Sequence, residues 1–245
     1  MDAIKRMTMT ASFARKFVFV VLSLISWHVA AGNSVLISPI DPKIGSDDNA
    51  AELWIENRGS DTTLMQVRVF LWQQAGGREQ FQTQQQVMAS PPMVRIEPGK
   101  KQLIRLVRQV MPAAGKEQAY RILLDEIPTP KQPGQQGSGL NFQMRYSVPL
   151  FVYGPGLSAA SAKPQLSWRL LNQNGKNALE ISNAGSGHAR LSDVTIGGRK
   201  VSEGLLGYVL AGSSNTFPVG VPASASGELN ASLGNNKNWR SGASR

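Results

Sequence analysis

Hydrophobic and polar positions alternate along short segments of this chain from Ser34 onward. In Leu64–Trp72, every second residue is apolar, at Met65, Val67, Val69 and Leu71. Gly, Pro, Asn and Asp interrupt such segments at intervals of about ten residues, and the longer period of an amphipathic helix is hard to find. The pattern predicts an all-β fold of the β-sandwich type.

The longest alternating segment is Leu140–Val152, which follows the Pro- and Gly-rich loop Pro128–Gly139. Large apolar residues occupy every second position of it: Leu140, Phe142, Met144, Tyr146, Val148, Leu150 and Val152. At ~3.3 Å per residue this strand extends over about 40 Å, which is long for a small sandwich. We expect it to lie at a sheet edge, where unpaired backbone groups can bind another chain; a central core strand is the alternative.

A Gly-, Ser- and Ala-rich stretch, Tyr153–Lys163, separates this segment from a second β pattern that begins at Gln165. We therefore predict two all-β domains joined by a short hinge. The predicted divisions are a signal peptide at 1–31, a first domain at 32–155, a hinge or linker at 156–162, a second domain at 163–233 and a frayed polar tail at 234–245.

The N-terminal segment has the order of a secretory signal peptide: basic residues up to Lys16, an apolar run at Phe17–Ala30, and small residues around Ala31. The run is short for a membrane span. A core helix or a retained anchor is the alternative. We expect cleavage after Ala31, export, and no membrane insertion of the remaining chain.

The net charge of +10 and the absence of cysteine refine this prediction. Without disulfides, stability must come from hydrophobic cores. A basic exported protein rarely meets nucleic acid, so we expect no nucleic-acid partner. The charge suits a partner's carboxylate or acidic surface, or serves solubility alone.

Residues for catalysis are scarce. His28 lies in the predicted signal peptide, which leaves His188 alone in a Gly-Ser-Gly-His turn, where a solvated side chain is expected. One histidine and no cysteine disfavour a Ser-His-Asp triad, thiolate chemistry and zinc sites. Adjacent Asp125 and Glu126 would face opposite sides of a strand. We predict no enzyme, no metal and no cofactor.

Several motifs occur in an order and spacing that resemble the periplasmic pilus-assembly chaperones of the chaperone–usher pathway, with the PapD-like fold. They are Ser90-Pro91-Pro92, Arg95–Lys100, Arg105-Leu106, Tyr120–Pro128 and Ser147–Val152. The resemblance implies two immunoglobulin-like β-sandwich domains in a boomerang arrangement, a periplasmic location, pilin subunits and an outer-membrane usher as partners, and no cofactor. It also implies donor-strand complementation, in which the chaperone lends a strand to an incomplete pilin.

By this resemblance, Leu140, Phe142 and Met144 are the side chains that enter the subunit's groove. Self-association of the free protein would cover the same strand and is left open. The match favours the archaic branch of the family, because the segments Ser147–Phe151 and Tyr120–Pro128 resemble that branch. By the same resemblance, Asp41 and Pro149 stand where other members have the Arg and Lys that anchor the subunit's terminal carboxylate.

The expected substitutes for that anchor are Arg121 and Arg145, with Arg105 and Lys163 as weaker candidates. For each there is another interpretation: Arg121 can pair with a neighbouring carboxylate, and the others can be solvated surface charges. Two other functions are alternatives for the whole chain, an exported structural or adhesive sandwich protein and an exported hydrolase or sugar-binding domain.

Overall fold

The computed structural model describes residues 35–128, 143–173, 175–220, 222, 227–234 and 237–242. The predicted signal peptide and the donor residues Leu140 and Phe142 lie outside these ranges. Every regular element within them is a β-strand, so the predicted all-β class is confirmed. The described part of the chain contains no helix that could cross a membrane.

In the described part of the first sandwich there are ten strands: β1 Val35–Ser38, β2 Lys43–Ile44, β3 Ala50–Asn57, β4 Thr63–Ala75, β5 Arg78–Thr83, β6 Val87–Ser90, β7 Met93–Ile96, β8 Lys101–Arg108, β9 Glu117–Ile127 and β10 Arg145–Tyr153. One sheet has the order β1-β3-β8-β6. The other has the order β2-β10-β9-β4-β5, with β7 also paired to β4.

The two sheets enclose a core because their long central strands are apolar on one side. In β4, Met65 and Val67 point inward, as the alternation predicts, and in β10 Val148, Leu150 and Val152 do the same. Burial of each such side chain contributes roughly 1.5–3 kcal/mol. The second half of β10 is therefore fixed in the first sandwich.

The second sandwich has eight strands among its described residues: β11 Leu166–Gln173, β12 Lys176–Asn183, β13 Ala189–Ile196, β14 Arg199–Lys200, β15 Leu205–Val209, β16 Ser213–Pro218, β17 Leu229–Gly234 and β18 Lys237–Ser241. One sheet has the order β11-β12-β16, and the other β14-β13-β17-β18, with β15 paired to β13.

The predicted frayed tail at 234–245 is wrong for residues 237–241, which form β18 and pair with β17. Trp239 packs against the second core, and the Trp168 indole donates a hydrogen bond of 2.9 Å to the carbonyl oxygen of Ser241. The sequence of this strand is polar apart from Trp239, so it gave no hydrophobic pattern. Backbone pairing with β17 and the packing of that one aromatic side chain hold the strand in place.

A third apolar cluster lies between the two sandwiches. Its buried members are Trp72, Ala119, Phe151, Tyr153, Leu157, Tyr208 and Leu210. Leu157 belongs to the predicted linker, and the turn that follows it is closed by hydrogen bonds between Ser158 and Ser161. The linker is therefore packed against the domains that it joins.

Candidate functional site

The first half of β10 has an open edge. β9 pairs with the whole strand, from Arg145 to Tyr153, but β2 covers only Phe151 and Val152 on the other side. Among the described residues, no strand lies beside the segment from Arg145 to Leu150 on that side. The backbone groups that point there are available to another chain.

The hydrogen-bond phase of β10 shows which groups these are. The amide of Glu126 donates to the carbonyl oxygen of Met144 at 3.0 Å, so even-numbered residues direct their backbone groups toward β9. Odd-numbered residues direct theirs to the open edge, as the bond from Phe151 N to Pro42 O (3.3 Å) shows. Arg145 and Ser147 therefore present N–H donors, whereas Pro149 presents only its carbonyl.

Met144 is the predicted donor residue that lies within the described chain. Its side chain is 44% exposed and precedes the point where Tyr146 begins to pack against the first core. The strand predicted from Leu140 begins at Arg145, and Leu140 and Phe142 lie outside the described residues. The assignment of all three as donor residues stays a prediction.

Arg121 lies at the centre of the sheet face that points away from the first core. Across the sheet it is opposite Pro149 of β10 and Phe70 of β4. It is thus the direct neighbour of one position where the familiar anchor is missing. Its guanidinium carbon lies 3.7 Å from the ring centroid of Trp72 and 5.2 Å from that of Tyr208 in the second sandwich.

The charge of Arg121 has no ion-pair partner among the described residues. In particular, neither Asp125 nor Glu126 pairs with it, as one alternative required. Burial lowers the pKa of the Arg121 guanidinium, and the nearby Glu79 carboxylate and Tyr208 hydroxyl partly oppose that shift. A half-buried cation that lies on an aromatic ring and forms no ion pair with a described carboxylate is suited to accept an anion.

Arg145 is in a different situation, because Asp125 lies directly opposite it on β9 and forms an ion pair with it. Arg68 of β4 donates to the same carboxylate at 2.7 Å. Burial alone would raise the pKa of Asp125, but the hydrogen bonds from Arg145 and Arg68 outweigh it and lower that pKa. Arg145 lies four residues from Pro149, or about 13 Å along the strand, so the structure does not bring it together with Arg121.

The two weaker candidates lie elsewhere. Arg105 is exposed on β8, which belongs to the opposite sheet of the first sandwich, where Glu52 and Ser90 flank it. Lys163 is exposed in the segment between the sandwiches. Of the predicted cations, Arg121 alone combines partial burial, a position next to β10 and the absence of a described ion pair.

Polar contacts fix the second sandwich against this site. The Gln74 amide donates to the carbonyl oxygen of Tyr208 at 2.8 Å and accepts from the amide of Leu210 at 2.9 Å. Near the tip of the β4–β5 hairpin, the carbonyl oxygen of Gly77 accepts from the amide of Thr216 at 3.0 Å. A Cβ on Gly77 would lie 2.3 Å from Thr216 Oγ1, so only glycine fits there.

His188 is not the solvated turn residue that the sequence predicts. Its backbone amide and its Nδ1 each lie 2.9 Å from a carboxylate oxygen of Glu117, and its ring stacks on Phe151 with 3.4 Å between centroids. The partner comes from the other sandwich, so the Gly-rich turn gave no signal of it. Trp72, Gln74 and Tyr208 were also missed as site residues, because each resembles an ordinary core or surface position in sequence.

Comparison with known proteins agrees with this architecture. The model of the PapD N-terminal domain of pili and flagellar-assembly chaperones matches residues 43–158. A sequence search of curated proteins found no match.

Among solved structures, the chain is similar to one in the CsuC–CsuE chaperone–tip adhesion subunit pre-assembly complex of archaic chaperone–usher Csu pili from Acinetobacter baumannii. The two are 34% identical, with 84% of this chain and 97% of that chain covered and a TM-score of 0.71. The chaperone DraB of E. coli is 19% identical, with 86% and 97% covered and a TM-score of 0.60. The CupB2 chaperone of Pseudomonas aeruginosa is 18% identical, with 85% and 100% covered and a TM-score of 0.59.

The two more distant structures share the fold, which is that of the two-domain PapD-like chaperones. The Acinetobacter structure adds sequence identity over most of both chains. These matches do not favour the alternative of an exported structural or adhesive protein. This chain therefore belongs to the PapD-like family of pilus-assembly chaperones.

Proposed function

We propose that this pilus-assembly chaperone acts in the periplasm, where it lends the edge of β10 to unfinished pilin subunits and passes them to an outer-membrane usher. Its family and fold are those of non-enzymatic chaperones. The Acinetobacter match comes from a chaperone–subunit complex, which supports a partner of the pilin class.

The open edge of β10 is the observation that carries this proposal. A pilin that lacks one strand exposes core residues and unpaired backbone groups, and an added strand satisfies both. Arg145 and Ser147 supply N–H donors on the open edge, and Met144 presents an exposed apolar side chain just before them. Each apolar side chain that the subunit buries contributes roughly 1.5–3 kcal/mol before the cost of ordering.

We also propose that Arg121 binds the terminal carboxylate of the subunit. The end of a strand that pairs with β10 would reach the position of Pro149, and Arg121 is its cross-strand neighbour. A guanidinium can bind a carboxylate through two parallel N–H donors. The partial burial of Arg121 strengthens such a contact, because water screens it less.

Substitution of Ser147 tests the lent strand directly. Ser147 is exposed and its N–H points to the open edge, so Ser147→Pro removes a donor for the subunit without removing a bond to β9. We expect the yield of chaperone–subunit complex to fall about tenfold or more on co-expression with small exported β-rich proteins from neighbouring genes. Ser147→Ala keeps the N–H and serves as the control.

The two Ser147 variants are compared at equal thermal stability. Equal complex yields for Ser147→Pro and Ser147→Ala would show that the open edge does not bind the subunit. The location is tested separately, by osmotic release of the protein from cells and N-terminal sequencing, which should show cleavage after Ala31.

A further inference from the structure

The Arg121 site includes side chains from both sandwiches. Trp72 belongs to the same sheet as Arg121, but Tyr208 comes from β15 of the second sandwich. The rings of Trp72 and Tyr208 meet edge to face, with 5.3 Å between centroids and an angle of 76°. The guanidinium of Arg121 thus has one aromatic ring beneath it and a second beside the first.

We propose that Tyr208 is a positioning residue for Arg121, so that the second domain completes the anion site of the first. Trp72 alone leaves the guanidinium free to turn about its long side chain. A second ring at 5.2 Å restricts that motion and keeps the planar N–H fork directed at one place. This inference rests on the proposed role of Arg121 as the anchor for a subunit's carboxylate.

Restricting the motion of Arg121 matters because a carboxylate of the chaperone itself, that of Glu79, is near. Glu79 lies on β5 opposite Gln74, it is exposed, and its negative charge acts on Arg121. A mobile Arg121 could turn toward this carboxylate and neutralise itself within the chaperone. By holding the guanidinium on Trp72, Tyr208 keeps the cation available for the partner's carboxylate.

Gln74 sets the position of Tyr208. Its side-chain amide bonds to the backbone on both sides of Val209, much as a neighbouring strand would, and Gln74 itself is 9% exposed. Asn215 adds a second hydrogen bond of 3.1 Å to the carbonyl oxygen of Tyr208. The distance between the Tyr208 ring and Arg121 is therefore fixed by polar contacts of defined geometry as well as by apolar packing.

The experiment measures selectivity for a carboxylate. The purified protein, expressed from its complete coding sequence, is titrated with N-acetyl-L-phenylalanine and with N-acetyl-L-phenylalaninamide, and the Arg121 side-chain N–H signals are followed by NMR. The wild type should bind the carboxylate probe more tightly than the amide, and Arg121→Gln should bind both alike. Thermal unfolding of every variant shows that it is folded.

Tyr208→Leu should reduce the carboxylate selectivity about tenfold, the effect of losing one desolvated cation–ring contact. Tyr208→Phe keeps the ring and should retain the wild-type selectivity. Gln74→Met keeps both rings but removes the hydrogen bonds of Gln74 to the backbone of Tyr208 and Leu210, so it should lose selectivity in the same direction.

The outcomes separate the two proposals. If Arg121→Gln loses selectivity while Tyr208→Leu and Gln74→Met keep it, Arg121 is the anchor and Tyr208 does not position it. If Tyr208→Leu does not fold, Gln74→Met decides the same question. If the wild type shows no preference for the carboxylate, Arg121 is not the anchor and the role of Tyr208 falls with it.

Discussion

Arg121 and Arg145 are two arginines on one sheet face in opposite situations. Arg145 is largely exposed and is paired with Asp125, which Arg68 also neutralises. Arg121 is half-buried, lies 3.7 Å from the ring centroid of Trp72 and forms no described ion pair. The sequence offers both as anchors with equal chemistry, because the difference lies entirely in what surrounds each guanidinium.

The comparison separates a structural charge from an available one. An exposed arginine with a carboxylate partner has little to gain from a second anion, and such a pair contributes at most about 1 kcal/mol to stability. A desolvated arginine without a partner carries an unfavourable burial cost that a bound carboxylate offsets. We therefore expect subunit binding to depend on Arg121 much more than on Arg145.

Removal of the two charges should give the largest contrast. Arg121→Gln is expected to weaken subunit binding by roughly 2–5 kcal/mol, the cost of leaving a buried carboxylate without its partner, so that the complex is no longer recovered. Arg145→Gln is the matched control and should change the yield little. Equal losses in both variants, measured by co-purification with the subunit, would contradict the assignment of Arg121.

Arg121→Lys should have a smaller effect, because it keeps the charge but loses the planar fork and the stacking on Trp72. We expect binding of the subunit to weaken by roughly 1–2 kcal/mol, measured as a faster dissociation of the purified complex. Arg145→Lys, at a solvated pair, should dissociate at the wild-type rate. Wild-type kinetics in Arg121→Lys would mean that charge alone is recognised.

Much of the fold follows from the alternation of side chains. Met65 and Val67 in β4, and Val148 and Leu150 in β10, point inward because successive side chains of a strand face opposite sides. The family motifs then specify the two-sandwich architecture, which the comparisons confirm. The strand Lys237–Ser241 escaped prediction, since backbone pairing and a single tryptophan leave little trace in composition.

The candidate site could be predicted only in part. The resemblance offered Arg121 and Arg145 together and did not separate them. The aromatic neighbours of Arg121 come from β4 and from the other sandwich, and no local pattern links these segments. His188 was misjudged for the same reason, because its partner Glu117 is distant in sequence. Contacts between domains depend on how two finished surfaces meet, and hydrophobic periodicity within one strand does not report that.

The smallest expected effect concerns Asp125 and its dependence on pH. The folded-state pKa of Asp125 lies below the ordinary value of 3.8, so its pairs with Arg68 and Arg145 stabilise the fold fully above that value. This contribution is lost as the pH falls through the lowered folded-state pKa. Asp125→Asn should therefore reduce the free energy of unfolding by at most about 1 kcal/mol at neutral pH, and the difference from wild type should shrink in acid. Urea unfolding of both proteins across this range measures it. A difference that stays constant down to full protonation would show that the carboxylate's charge does not stabilise this part of the sheet.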